Sequence, residues 1–306
     1  MCKGVAKPFL KWAGGKGQLI NKLNELYPYE IINGEIKTYI EPFVGGGAIL
    51  FDILQKFHIE KALIIDSNKE LINCYACIKA DVRKLIERLK NLQEEYLGLS
   101  LDERAGFYSN MRTKYNTIKL NGHFDFEKAT DFIFLNKTCF NGLYRVNKNG
   151  EFNVPFGKYK NPLICDESNL LSVGKLLQKV EIRCGDYTQC GDFIDNTTFV
   201  YLDPPYRPIT ATQSFVGYSQ NGFNDDNQKE LSNFIKNVSK TGAKILLSNS
   251  DPKNVNTNDN FFDDLYSDFD MQRIYAKRII NCQAKKRGDI TEIVVRNYKG
   301  NAVLMR

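Results

Sequence analysis

The chain has 306 residues, of which 42% are hydrophobic and 25% charged, and this ordinary composition excludes wholesale disorder, a collagen helix and a coiled coil. No apolar run approaches the roughly 20 residues of a membrane-spanning helix, and no apolar segment of a secretory signal stands near the N-terminus, so we expect a cytoplasmic protein without a membrane partner. The net charge of +6 is concentrated in residues 271–306, where nine Lys or Arg outnumber two Asp or Glu, and such a segment favours a polyanionic partner.

The first part of the chain predicts a strand, a glycine loop and a helix. The run TYIEPF at 38–43 is short, apolar and partly β-branched, three glycines follow it, and a helical pattern begins at Ala48. A second buried strand at 62–65 ends at Asp66 and precedes another helical stretch. This order of elements is that of a βαβ unit.

Later runs complete the sheet. Strands are predicted at 180–184, 198–202 and 243–248, and helical crossovers make the sheet mostly parallel. The runs 272–280 and 290–298 predict an antiparallel hairpin at the C-terminus. The fold class is therefore α/β with a Rossmann-like sheet.

A long insert separates the second and third strands. Residues 81–165 begin with a helical pattern and continue with a segment rich in Asn, Gly, Lys and aromatic residues. We therefore expect a catalytic domain built from residues 1–80 and 166–306, and a separate inserted domain. Residues 251–270 are rich in Asn and Asp and predict a surface loop.

The cysteines give little indication of a metal site. Cys74 and Cys77 have CxxC spacing, but no second pair follows at zinc-ribbon distance, and their segment predicts a helix. We expect core thiols and no bound metal.

The glycine loop suggests a nucleoside-bearing cofactor. Gly45, Gly46 and Gly47 would let a ligand approach the backbone closely, and Asp66, about 20 residues later, stands where a ribose hydroxyl would be held. The loop lacks the full GxGxxG spacing, so a pyrophosphate is not favoured. A turn that serves only tight packing is the alternative.

The motif Asp203-Pro204-Pro205-Tyr206 is more specific. It follows an apolar strand directly, at the edge of the sheet where open α/β folds bind ligands. Two successive prolines remove two N–H donors and fix the backbone, so their carbonyls can accept hydrogen bonds. A carboxylate, rigid carbonyls and an aromatic ring suit the amino group of a planar base; a capped strand end is the alternative.

A third block, FLKWAGGK at 9–16, contains the single tryptophan of the chain, Trp12. It predicts either a lid over an aromatic or cationic cofactor or an anchor for the N-terminal segment.

Taken in order, six blocks closely resemble the Dam-like (D12 class, alpha group) DNA adenine-N6 methyltransferases. They are FLKWAGGK at 9–16, EPFVGGGA at 41–48, the strand end at Asp66, NGLYRVNKNGEFNVPFGKY at 141–159, GDY at 185–187 and DPPY at 203–206. The resemblance covers nearly the whole chain. It implies the class I S-adenosylmethionine-dependent methyltransferase fold, with the mainly helical insert as a target-recognition domain.

The resemblance also implies the cofactor S-adenosyl-L-methionine, with no metal. The residues it assigns to cofactor contacts are Trp12, Lys16, Phe43, Gly45, Gly47, Asp66, Asp186 and Asp203. Side-chain chemistry agrees, since Asp66 can accept hydrogen bonds from ribose hydroxyls and Asp186 from the adenine amino group.

The chemistry implied is methyl transfer to adenine N6 in double-stranded DNA. Asp203 and the Pro204 carbonyl would accept the two N6 hydrogens, and this would localise the nitrogen lone pair. Tyr206 would stack on the base after its rotation out of the duplex.

The same resemblance indicates the target GATC. It places Lys11, Asn141, Leu143 and Arg145 at the target bases and Phe140 as an intercalating wedge, where the family usually has Tyr. Arg145 can bond two acceptors of guanine, and Asn141 can bond the one donor and one acceptor of adenine. Further DNA contacts, mostly to phosphates, are expected from Lys137, Lys148, Lys158, Tyr159, Lys160, Lys285, Lys286 and Arg287.

Three other functions fit some of these features. A cytosine-N4 methyltransferase would use a similar motif, often with Ser in place of Asp203. A DNA-binding protein that has lost catalysis would keep the fold, and a nicotinamide oxidoreductase would use the glycine loop. The sequence leaves open whether the enzyme accompanies a cognate restriction endonuclease, acts alone or comes from a phage.

Overall fold

The structure is a computed structural model that describes residues 4–120, 124–207, 223–277 and 289–299. Among these residues seven strands form one sheet: Thr38–Glu41 (β1), Lys61–Asp66 (β2), Val180–Cys184 (β3), Thr198–Leu202 (β4), Lys244–Ser250 (β5), Asp270–Lys277 (β6) and Asp289–Arg296 (β7). The order in the sheet is β3-β2-β1-β4-β5-β7-β6.

The pairing of the strands confirms the predicted fold class. β1 pairs in parallel with β2 and β4, and β4 pairs in parallel with β5. β7 pairs antiparallel with both β5 and β6, so the C-terminal hairpin closes the sheet as expected. Every residue of β4 is buried, as is typical of a strand in a parallel sheet with both faces covered.

Nine helices accompany the sheet in the described part of the chain. They are Ile20–Asn24 (α1), Tyr29–Ile32 (α2), Ala48–Lys56 (α3), Lys69–Gly98 (α4), Leu101–Thr117 (α5), Phe126–Thr138 (α6), Glu167–Leu177 (α7), Asp225–Ser239 (α8) and Phe261–Leu265 (α9). Capping boxes begin α5, through Ser100 and Glu103, and α8, through Asn224 and Asn227. None of these helices is long and apolar enough to cross a bilayer.

Contacts between residues divide the chain into two compact units. The first unit comprises Met1–Gly15, Val44–Lys56 and Ile65–Gly185; the second comprises Lys16–Phe43, Phe57–Ile64 and Asp186–Arg306. In the first, α4 packs against α6 and α7; in the second, α8 packs against β5. The functional division into catalytic and recognition domains stays a prediction.

Helix α4 is interrupted at one residue. Asp81 has φ −155° and ψ 87°, which is not helical, and its carboxylate accepts a hydrogen bond of 3.0 Å from the backbone N–H of Lys84. The side chain thus caps the second half of the helix, which carries the buried residues Leu85 and Leu89. The break lies at the residue where the sequence predicts that the insert begins.

The segment after α6 is an ordered loop with two β-bridges, Cys139 with Phe156 and Val146 with Phe152. It is fastened to α5 by side chains: the Tyr108 hydroxyl donates to the carbonyl of Val154 at 2.7 Å, and Asn116 exchanges two hydrogen bonds with the backbone of Phe152.

The prediction of a surface loop at 251–270 is wrong in part. The segment contains α9, whose Phe262 is buried, and the adjoining Tyr266 is buried as well. Its Asp and Asn residues serve the backbone, since Asp251 caps a short 3-10 helix at Pro252–Asn254.

We expect Asn116→Ala to lower the free energy of unfolding by about 1–3 kcal/mol, because the N–H and carbonyl of buried Phe152 both lose their partner. Urea unfolding measures the change. Thr113→Ala is the matched control, since this exposed residue of the same helix bonds only within α5. Equal midpoints for the two variants would contradict the role of Asn116.

Candidate active site

In the second unit, a buried lysine holds the carboxylate that follows β4. The Lys16 Nζ donates to Asp203 Oδ1 at 2.6 Å and to Oδ2 at 2.7 Å, and the lysine side chain is only 4% exposed. Ser248 on the neighbouring strand β5 donates its hydroxyl to Asp203 Oδ1 at 3.3 Å. The parallel pairing of β4 and β5 brings these residues to one edge of the sheet.

Tyr206 joins a second carboxylate to this cluster. Its hydroxyl accepts from Lys16 Nζ at 2.8 Å and donates to Glu292 Oε2 at 2.6 Å. Glu292, on β7, also lies 3.9 Å from Lys16 Nζ. One buried ammonium therefore serves two carboxylates and a phenol, and we call Lys16, Asp203, Tyr206 and Glu292 the lysine cluster.

Burial and charge act in opposite directions within the lysine cluster. Burial raises the pKa of Asp203, the Lys16 ammonium opposes that shift, and the Glu292 carboxylate adds to it. Burial, together with the charges of Asp203 and Glu292, raises the pKa of Tyr206 well above its usual value. Tyr206 therefore stays protonated, and Lys16 offsets the cost of placing a carboxylate here.

The two carbonyls of the proline pair have different partners. The Pro205 carbonyl accepts a hydrogen bond of 3.2 Å from Gln228 Nε2 on α8. The carbonyl of Pro204 has no hydrogen-bond donor among the described residues. The motif thus presents one carboxylate and one carbonyl that can each accept from a planar amine.

Phe43 and Asp186, both expected at the cofactor, belong to the same unit. The Phe43 ring lies 5.4 Å from that of Tyr187 and 6.1 Å from that of Phe223. Asp186 is exposed and accepts from the backbone N–H and hydroxyl of Thr188 at 3.0 and 2.6 Å. Its carboxylate is therefore oriented by the turn that follows β3.

In the first unit, Asp66 fastens the glycine loop. Asp66 Oδ2 accepts from the N–H of Gly45 at 3.0 Å, and Oδ1 accepts from the N–H of Asn68 at 2.9 Å. Burial raises the pKa of Asp66, and these backbone hydrogen bonds oppose the shift. A carboxylate has about four acceptor positions, so two bonds leave capacity for a ligand hydroxyl.

The glycines of this loop are required by packing. Gly45 has φ +47°, and a Cβ there would lie 2.9 Å from Trp12 Cδ1. Gly47 has φ +72°, and a Cβ there would lie 2.5 Å from the Tyr75 hydroxyl oxygen. Of the two sequence interpretations, tight packing is therefore observed, and close approach of a ligand stays a prediction.

Trp12 packs within its own unit. Its ring stacks on Tyr144 with a centroid distance of 5.3 Å and meets Phe132 edge-on at 6.5 Å. These contacts anchor the N-terminal segment, which was one of the two sequence interpretations. A role as a lid over a cofactor stays a prediction.

Asn136 brings together two stretches expected at the DNA. On α6, it accepts from the N–H of Lys11 at 2.9 Å and donates to the carbonyls of Lys11 and Gly142 at 2.9 and 3.1 Å. The turn beside it holds Asn141 at φ +56° and leaves Phe140 50% exposed. No motif in the sequence indicates Asn136, because it resembles any other polar residue of a helix.

Arg145 is oriented by a neighbour in the same loop. Its Nε donates to Asn153 Oδ1 at 2.7 Å and its Nη2 to the Asn153 carbonyl at 3.0 Å. Two of the five N–H donors of the guanidinium are thereby used.

Four further residues expected at the DNA lie in the same unit. Lys148 and Lys158 are exposed, Leu143 is half-buried, and the Lys11 ammonium lies 5.3 Å from the centre of the Tyr159 ring. Lys285, Lys286 and Arg287 lie outside the described residues.

The expected core thiols are confirmed for the CxxC pair. Cys74 and Cys77 are buried in α4, and burial raises the pKa of Cys77 to about 12. Within the described part of the chain, no three His, Cys, Asp or Glu residues are grouped as a metal site would require.

Comparison with known proteins agrees with the motifs. A family model described as D12 class N6 adenine-specific DNA methyltransferase matches residues 12–280. The chain is 50% identical over 293 residues to the type II methyltransferase M.MjaIII of Methanocaldococcus jannaschii, covering 95% of this chain and 99% of that protein.

Two further relatives are similar over nearly their whole length. The type II methyltransferase M1.LlaDCHI of Lactococcus lactis subsp. cremoris is 35% identical over 294 residues, 95% of each chain. The DNA adenine methylase of Haemophilus influenzae is 32% identical over 291 residues, 94% of this chain and 92% of that one. The protein therefore belongs to the D12 class of N6 adenine-specific DNA methyltransferases.

Proposed function

We propose that the protein transfers the methyl group of S-adenosyl-L-methionine to N6 of an adenine rotated out of double-stranded DNA, within the sequence GATC. The observation that carries this proposal is the end of β4, where the Asp203 carboxylate is held by Lys16 and the Pro204 carbonyl has no donor among the described residues. These are two acceptors for the two hydrogens of one amino group.

The chemistry requires those two acceptors. The lone pair of adenine N6 is delocalised into the ring, so N6 is a poor nucleophile. Hydrogen bonds from N6 to Asp203 and to the Pro204 carbonyl would localise that pair and direct it toward the methyl donor. The Tyr206 ring would stack on the base.

The lysine cluster supports a proton-accepting role for Asp203. Burial raises the pKa of Asp203, and the Lys16 ammonium opposes that shift and so favours the anionic form, which can take the proton that N6 loses. The N6–H bond breaks and an O–H bond forms on Asp203. The neighbouring Tyr206 cannot take this proton, because its raised pKa keeps its own hydroxyl protonated.

We infer that the methyl donor is S-adenosyl-L-methionine, which supplies an activated methyl group on its sulfonium when bound, and we assign its contacts unit by unit. In the first unit, we assign ribose binding to Asp66, whose two backbone bonds leave acceptor capacity. Gly45, Gly47 and Trp12 would shape the binding loop. In the second unit, we assign the adenine amino group to Asp186 and contact with the ring to Phe43.

For DNA recognition, we propose that residues 81–165 form the target-recognition domain and the remainder the catalytic domain. Arg145, Asn141, Leu143 and Lys11 would contact bases, and Phe140 would intercalate. Support comes from the exposure of Phe140 and from the fixed orientation of Arg145 by Asn153.

Two of the relatives are named type II methyltransferases, and this supports a functional pairing with a cognate restriction endonuclease.

The decisive experiment supplies labelled methyl donor with a duplex that contains GATC, or with a scrambled duplex, and identifies the labelled nucleoside. Label in N6-methyladenine with the GATC duplex alone is expected. Label in both duplexes would contradict the target, and label in N4-methylcytosine would contradict the acceptor atom.

We expect Asp203→Ala to lower kcat by about 10²–10⁴-fold, because one acceptor of the N6 hydrogens is lost. Specific DNA binding, measured by gel shift, should remain detectable. Asp268→Ala serves as the control, since Asp268 is a surface residue paired with Lys236. Turnover near that of the wild type would remove Asp203 from the mechanism.

We expect Lys16→Met to move the acid limb of the pH profile of kcat to higher pH. Burial raises the pKa of Asp203 and the Lys16 ammonium lowers it, so removing the ammonium raises that pKa. As the pH falls, Asp203 of the variant is then protonated, and activity is lost, at a higher pH than in the wild type. Lys22→Met, which removes a lysine bonded to the carbonyl of Tyr275, is the control. A limb that stays in place or moves to lower pH would contradict this account.

We expect Arg145→Ala to reduce discrimination against sequences with a substituted guanine by about 1–3 kcal/mol, the value of a bidentate contact. The measurement compares kcat/KM for GATC and for its one-base variants. Lys148→Ala is the contrasting variant, because loss of a phosphate contact weakens binding to all sequences alike. Unchanged ratios for Arg145→Ala would exclude it from base recognition.

A further inference from the structure

Two residues of α8, one helical turn apart, form hydrogen bonds to the segment that follows β4. The first is Asp225, whose carboxylate accepts from Arg207 Nε at 2.6 Å and from Nη2 at 2.9 Å. Arg207 also donates to Asp259 at 2.7 Å and lies 4.3 Å from the centre of the Phe261 ring. Arg207 directly follows the DPPY motif, so this clamp fixes the C-terminal side of the motif.

The second residue is Gln228, which is fully buried. Its Nε2 donates to the Pro205 carbonyl at 3.2 Å, and its Oε1 accepts from Asn249 Nδ2 at 3.1 Å. Asn249, also fully buried, accepts on Oδ1 from the backbone N–H of Ser250 at 2.8 Å.

The direction of this chain of hydrogen bonds is fixed by its first member. A backbone N–H can only donate, so Asn249 must accept on its oxygen from Ser250 and donate with its nitrogen to Gln228. Gln228 must then accept from Asn249 and donate to Pro205. The orientation of both amides follows from hydrogen-bond chemistry rather than from the similar shapes of oxygen and nitrogen.

The proline pair needs a hydrogen-bond donor from elsewhere in the chain. Pro204 and Pro205 have no N–H, so the motif cannot order itself through backbone donors at these positions. The bond from Gln228 to the Pro205 carbonyl fixes the peptide plane between Pro205 and Tyr206. That plane determines where the Tyr206 side chain leaves the backbone, toward Lys16 and Glu292.

We propose that Gln228 is a positioning residue for catalysis, which holds the proline pair so that the Pro204 carbonyl and Tyr206 stand correctly for the base. The inference rests on the proposed methyl transfer, and it assigns to Gln228, with Asn249 behind it, a role that the motif alone does not reveal.

The test compares Gln228→Leu, Gln228→Glu and the control Ser232→Ala in the methyl-transfer assay. Ser232 is buried one turn further along α8 and donates to the carbonyl of Leu265, away from the motif. Gln228→Leu should lower kcat by about 10–100-fold, the effect of misplacing reacting groups, with KM for the methyl donor within about twofold. Ser232→Ala should keep kcat within about twofold of the wild type.

Gln228→Glu gives a readout that a structural role would not change. Its neutral carboxylic acid can donate to the Pro205 carbonyl and accept from Asn249, whereas its carboxylate would repel that carbonyl. The ratio of its kcat to that of the wild type should therefore rise as pH is lowered from about 8.5 to about 6, since burial raises the pKa of a carboxyl group.

Wild-type kcat in Gln228→Leu would overturn the inference, and so would a ratio for Gln228→Glu that does not change with pH. Should Gln228→Leu fail to fold, the pH dependence of Gln228→Glu alone decides. A wild-type protein that methylates no DNA would instead contradict the proposed function, and the inference would fall with it.

Discussion

The geometry of the candidate active site depends on one buried ammonium group. Lys16 is almost inaccessible to solvent, yet two carboxylates and a tyrosine hydroxyl surround it. Charges are costly to bury, and they are tolerated only when partners and hydrogen bonds compensate. The positions of β4 and β7, which carry those partners, are therefore linked by electrostatics as well as by strand pairing with β5.

Much of the fold could be predicted because its signals are local. The strands at 180–184 and 198–202 have the bounds that the sequence predicts, and Asp203 lies at the strand end as expected. The error at 251–270 has a physical reason. Asn and Asp are typical of loops, but here Asp251 caps a short 3-10 helix, and the nearby aromatic residues Phe262 and Tyr266 are buried in the core.

The partners of the functional residues could not be predicted, because they are distant in the chain and ordinary in type. Lys16 and Asp203 are separated by 187 positions, and Lys11 and Asn136 by 125. Gln228 and Asn153 carry no motif. Motifs identify groups that meet ligands, whereas the residues that orient those groups are determined by three-dimensional packing.

The break in α4 has a consequence for protein engineering. The first half of this helix follows Asp66 and holds the glycine loop through Tyr75, while the second half carries the buried residues Leu85 and Leu89. The two halves meet at Asp81, whose side chain already begins a new helical segment. A chimera that exchanges the proposed recognition domain with that of a relative should be joined at this residue, because the helix is already interrupted there.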